Sequence, residues 1–149
     1  MAIAATSPLA ISWRCRHSWR RAAYNTSWCL LGCSLGDMGT IAAFQYGGWP
    51  WDPMAIMALA MVNGLLTSIA LETIILSRQM ALALALKTAL GMSLISMLAM
   101  ELAMNVVDLA ITGGAQLSVV ALPFMLLAGF LTPLPYNYWR LKALGKACH

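Results

Sequence analysis

The sequence predicts an all-α integral membrane protein, a four-helix bundle with both termini on the cytoplasmic side (N-in/C-in). Three observations predict it. Apolar residues make up 61% of the chain and charged residues 9%, whereas a soluble domain carries roughly 25% charged residues. Four separate segments approach the roughly 20 apolar residues that cross a hydrocarbon core. All 9 Lys and Arg residues fall on one side of the topology those segments define, as the positive-inside rule requires of a cytoplasmic face.

The 149 residues suffice for one domain. A basic cytoplasmic segment, residues 1–24, precedes a transmembrane domain of residues 25–149. The first helix is expected at about 28–46. The turn Gly47-Gly48-Trp49-Pro50-Trp51-Asp52-Pro53 separates it from a second helix at 54–76. Ser77, Arg78 and Gln79 break the chain before a third helix at 82–111. Thr112 to Gln116, with Gly113 and Gly114, form the next turn. A fourth helix is expected at 117–135. Arg14, Arg16, Arg20, Arg21, Arg78, Lys87, Arg140, Lys142 and Lys146 then share the inner side. Trp28, Trp49, Trp51, Tyr136, Tyr138 and Trp139 mark the two interfaces, where amphipathic rings partition. The expected location is the cell inner membrane, multi-pass. No cleavable signal is expected, because the basic cluster follows the mildly apolar first residues.

The net charge of +4 does not point to nucleic acid. The cations flank apolar spans, and anionic lipid is their simpler partner. The four cysteines, Cys15, Cys29, Cys33 and Cys148, do not read as a disulfide framework. Both histidines, His17 and His149, are terminal, which excludes a bis-His haem within the membrane. No Walker loop, GxSxG or HExxH motif is present, so the chain is not expected to be an enzyme.

Chemistry is concentrated inside the spans. Asp37, Glu72, Glu101 and Asp108 all fall there, and a central charge costs about 2.5–3.5 kcal/mol on the insertion scale. Helical spacing aligns them with sulfur. Helix 3 carries Ser93, Met97, Met100, Glu101, Met104 and Asp108 on one face, with Asn105 at its edge. Helix 2 aligns Met54, Met57, Met61, Gly64, Ser68 and Glu72. Helix 1 aligns Cys29, Cys33, Gly36, Asp37 and Thr40. Thioether and thiolate are soft donors that select Cu(I). The candidate metal set is therefore Cys29, Cys33, Met57, Met61, Met97, Met100, Met104 and Glu101. Asp37, Glu72 and Asp108 form a candidate proton or ion set. Methionine also serves as a flexible core filler, and a protonated carboxyl bonded to a neighbouring helix is purely structural, so both readings stand. Gly32 and Gly36 form a small-xxx-small pair that permits close helix approach. Helix 4 lacks a polar stripe and reads as scaffold.

A resemblance adds to this. The strings from Trp28 through Cys29, Cys33 and Gly36 to Asp37, from Thr67 to Thr73, from Gly91 through Met97 to Met100-Glu101, Met104-Asn105 and Asp108, and from Pro133 through Arg140 to Cys148-His149 resemble an uncharacterised bacterial integral-membrane family. That family is a domain of unknown function, and some members carry names or fusions linked to copper oxidases. The resemblance covers nearly everything after Tyr24 and implies a lean toward copper, with Cys148 and His149 as a candidate cytoplasmic contact. The expected function is binding or translocation of a soft cation, Cu(I). The alternatives are an accessory subunit of a larger membrane complex and a proton-coupled small-solute carrier. Expected partners are the lipid bilayer and a membrane-complex or copper protein.

Overall fold

The computed structural model describes residues 13–143. Among them the chain forms five α-helices and no strand: α1 (Arg16–Gly47), α2 (Pro53–Ser77), α3 (Leu82–Thr112), α4 (Ala121–Leu131) and α5 (Leu134–Ala143). α1 packs along α2, α2 against α3 and α3 against α4, while α5 returns to α1.

The caps account for the boundaries. Asp52 accepts a bond from the Met54 amide at 3.1 Å and Pro53 opens α2, a position where its missing N–H is not needed. Gly48 and Gly113 end α1 and α3 in the left-handed conformation, at φ 66° and 88°, which a residue without Cβ adopts freely. α2 and α3 match the expected segments closely.

α1 does not. It starts at Arg16 instead of Trp28, because Ser18, Ala22 and Thr26 form a small buried stripe that packs on α5. The expected fourth helix, 117–135, is also corrected. Helix begins only at Ala121, stops at Leu131 and resumes at Leu134. Pro133 and Pro135 lack the amide hydrogens that would continue the ladder. At 1.5 Å per residue, α4 alone covers roughly 16 Å, about half a hydrocarbon core. The four-helix expectation thus becomes five helices, the last two separated by two residues.

Two helical stretches are long and apolar enough to cross a membrane: α2, with mean hydropathy 2.0, and Ser93–Thr112 of α3, with 1.8. Leu35, Leu66, Ile95, Leu102 and Val106 all point outward and are more than half exposed. Asp37, Glu101 and Asp108 are fully buried. This is the inverse of a soluble fold, and it suits a solvent that rewards apolar surface.

Side-chain hydrogen bonds join α1 to α2. Thr67 Oγ1 donates to the Gly32 carbonyl at 2.6 Å, Asn63 Nδ2 to Thr40 Oγ1 at 2.8 Å, and Ser68 Oγ to the Cys29 carbonyl at 3.3 Å. At the end holding Gly48, Gln45 receives the Leu117 amide at 2.8 Å, and Phe44 packs on Trp49 and Trp51. At the opposite end Tyr138 stacks on Trp19 and Trp13, with centroids 4.2 and 5.1 Å apart. Cys15 sits here, its amide donating to the Tyr138 hydroxyl at 3.3 Å. It is disulfide-bonded, whereas Cys29 and Cys33 are free.

The buried Asn137 donates to Thr26 Oγ1 at 2.8 Å, fixing α5 on the extension of α1. Asn137→Ala should lower stability by about 1 kcal/mol, the usual net value of such a bond. Thermal unfolding of detergent-solubilised protein checks this, and an unchanged midpoint would remove Asn137 from the account of how α5 docks.

Candidate functional site

Met97, Met100 and Met104 recur on α3 in steps of three and four, so they share one face. That face is fully buried, and it meets Cys33 of α1 and Met125 of α4 in one cluster. Cys29 and Met38, half-buried, pack against it. α4 can approach because its contact positions are Ala121, Met125 and Gly129, each one turn apart and all buried. A Cβ on Gly129 would lie 2.7 Å from Met104 Cγ and 2.9 Å from its sulfur. The α4 backbone therefore rests on a thioether.

The carboxylates lie beside this sulfur. Glu101 is fully buried; no amide or hydroxyl donates to its carboxyl oxygens, and the Cys33 thiol is its hydrogen-bonding neighbour. It packs on the bare Cα of Gly64, where a Cβ would collide with Glu101 Oε1. The Cys33 thiol and the Asp37 carboxyl are its ionisable neighbours. Asp37 receives one bond, from Asn105 Nδ2 to Oδ1 at 3.3 Å, and its Oδ2 has none. Cys29 Sγ lies 3.6 Å from Ser68 Oγ. Nearer the basic end, Ser93 donates to Glu72 Oε1 at 2.6 Å.

The three sequence stripes therefore converge in part. Cys29, Cys33, Met97, Met100, Met104, Asp37 and Glu101 come together. Met57 does not join them: it belongs to a second buried cluster with Ile41, Ile56, Ala60 and Ala115. Met61 is half-buried on α2, and Met54 is mostly exposed. Asp108 closes the end of α3, accepting from Thr112 Oγ1 at 2.7 Å and from the Gln116 amide at 3.4 Å. Glu72 stands apart with Ser93. Cys148 and His149 lie outside the described residues. Among the described residues, no three His, Cys, Asp or Glu side chains converge as a metal-ligating group. The donors that do gather are thioethers and a thiol, with single carboxylates beside them.

A family model described as Domain of unknown function (DUF4396) matches residues 18–146. The chain belongs to this family. The DUF4396 match spans all five helices except the first two residues of α1, and with them every residue of the sulfur and carboxylate core. No curated protein and no solved structure matches the chain. Membership assigns a domain, and no chemistry comes with it.

Sequence reading missed Met125, and with it the part α4 plays. The signal was the stripe Ala121-Met125-Gly129, a large side chain between two small ones at four-residue spacing, inside an otherwise uniform apolar run.

Proposed function

We propose that this DUF4396 protein is a multi-pass protein of the inner membrane, a four-span bundle in which α4 and α5 together form the last span, and that it binds or moves a soft monovalent cation, Cu(I), at its centre. The observation that carries the reading is the buried cluster of Cys33, Met97, Met100, Met104 and Met125 beside the buried Glu101 carboxyl. Thioethers bind without losing a proton and prefer soft cations. A neighbouring carboxylate neutralises the single charge, which low-dielectric surroundings would otherwise penalise. The donor set thus fits Cu(I) and fits a divalent hard ion poorly.

The clustering of basic residues at one end supports N-in/C-in orientation.

The test is metal content. Full-length protein expressed under copper-replete conditions and purified in detergent should carry stoichiometric copper, read by atomic absorption. The triple variant Met97→Leu/Met100→Leu/Met104→Leu keeps volume and hydrophobicity close to the original and should lose it. Metal-free wild type, or a triple variant that retains its copper, would sink the proposal.

A further inference from the structure

Between the sulfur cluster and the basic end lies a polar layer, and two helices lead to it. Ser68 of α2 is bonded to the Cys29 carbonyl, and Glu72 lies one turn further along the same face. Met97 of α3 belongs to the sulfur cluster, and Ser93 lies one turn before it on the same face. Ser93 donates to Glu72 Oε1 at 2.6 Å. Four residues of helix rise roughly 6 Å. Glu72 and Ser93 are therefore the next layer after the sulfur, on the side of the basic residues.

That layer is left open at one atom. Glu72 Oε2 is buried and no donor reaches it. α5 brings the complement. Asn137 fixes α5 on Thr26, and Arg140 follows one turn later on the same face. Arg140 is the cation that acts on Glu72, and its Nη1 is also buried without a partner. A guanidinium and a carboxyl thus face each other where α2, α3 and α5 meet, each with one bonding atom uncommitted.

The arrangement has two ways to settle. Buried polar atoms without partners are costly, so the guanidinium gains by moving onto Glu72 Oε2. Arg140 is only half-buried, and a long arginine stem also lets the charged head turn out toward the polar interface. The other groups of the layer do not compete. α1 contributes the Cys29 thiol, with Glu72 among its ionisable neighbours, and α3 contributes the uncharged Ser93. A cation that left the sulfur by this end would pass Glu72 and meet a group of its own charge.

We propose that Arg140 is the gate at the basic end of the core: its guanidinium closes onto Glu72 Oε2, and a cation passes only while that side chain is turned outward. What passes rests on the Cu(I) reading above; the closure itself does not.

Labelling of Cys29 by a cationic thiol reagent, trimethylammonium-ethyl methanethiosulfonate, tests the closure without copper. The full chain is held in lipid nanodiscs, and the labelled sites are read by peptide mass spectrometry. Cys29 is free and half-buried, and Cys33 is free and fully buried. Arg140→Gln should speed labelling of Cys29 roughly 10–100-fold, the factor carried by one hydrogen bond to a charged group. Glu72→Gln should act in the same direction, and the double variant should be no faster than the faster single one, because both remove one contact. Arg140→Lys, which keeps the charge, should stay closer to wild type than Arg140→Gln. Cys33 should remain unlabelled throughout. Equal labelling of Cys29 in wild type and Arg140→Gln overturns the gate. So does a gain at Cys33 matching that at Cys29, which would mean a loosened bundle. Additive effects of the two single variants would show that Arg140 does not act through Glu72. Copper-loaded protein mixed with a strong chelator tests what passes: Arg140→Gln should release Cu(I) faster than wild type by a similar factor. Equal release beside faster labelling overturns passage of Cu(I) by this end. If no copper binds while Cys29 responds as expected, the Cu(I) reading fails and the gate stands. Glu72→Gln keeps the experiment decisive should Arg140→Gln fail to fold.

Discussion

Gly36→Val should separate α1 from α2 and cost the protein about 3 kcal/mol or more of stability. A Cβ on Gly36 would land on the Asn63 carbonyl oxygen and the Thr67 hydroxyl. The first of these is backbone in mid-helix, and it cannot swing aside as a flexible side chain would. Overpacking of this kind costs about 1–3 kcal/mol. Moving the helices apart also stretches the bonds from Thr67 to the Gly32 carbonyl and from Asn63 to Thr40, each worth about 0.5–1.5 kcal/mol. Gly39 is the internal control. It lies on the same helix, but nothing stands within 4 Å of a Cβ there. Gly39→Val should leave the unfolding midpoint nearly unchanged in the same denaturant titration. Equal losses at the two positions would show that the close approach of α1 and α2 does not govern stability.

That contrast also explains what the sequence made legible. Gly32 and Gly36 announce a close helix pair through spacing alone, and the structure sets both on α2. The bounds of α2 and α3 were equally readable, because hydrophobic length, a proline after an N-capping Asp52 and a glycine pair after Thr112 all agree. The start of α1 was not. Residues 16–27 are polar on the outside, and their buried stripe is Ser18, Ala22 and Thr26, too polar for a hydrophobic period to reveal. The fourth segment misled for the opposite reason. A uniformly apolar run satisfied a length criterion, while Pro133 and Pro135 withheld the amide hydrogens that a continuous helix needs.

The candidate site shows the same division. Helical periodicity placed Cys33, Asp37, Met97, Met100, Glu101 and Met104 on faces that do meet. Periodicity assigns a face, however, and not a depth or a partner. Asp108 shares the face of Glu101, but the turn after it supplies Thr112 and Gln116 as donors. It therefore behaves as a helix-end residue, whereas Glu101, two turns earlier, meets only the Gly64 backbone and thiol and carboxyl neighbours. Met57 shares the face of Ser68, yet α2 at that level packs against Ile41 and Ala115. Which helix lies opposite a stripe is decided by packing between elements distant in sequence, and one helix's pattern does not encode it.

Met125→Leu and Met57→Leu should separate the two sulfur clusters by function. Both changes replace a thioether with an aliphatic group of similar volume, so each should cost under about 1.5 kcal/mol in stability. Their effects on Cu(I) should differ. Met125 lies in the cluster with Cys33, Met97, Met100 and Met104. Its loss should weaken Cu(I) binding roughly 10–100-fold, the range seen when a group that supports a metal site is removed. Met57 packs instead with Ile41, Ile56 and Ala60, its sulfur close to the turn at Gly114. Met57→Leu should leave the affinity within error of wild type. Competition against a chelator of known Cu(I) affinity measures both. Equal weakening by the two variants would mean that cation passage samples both clusters. A large loss at Met57 with none at Met125 would move the site to the Gly114 end of the bundle. The expected order returns α4 to the working part of the protein: a helix too short to cross the bilayer alone is held in place by the small residues Ala121 and Gly129 so that one thioether reaches the centre.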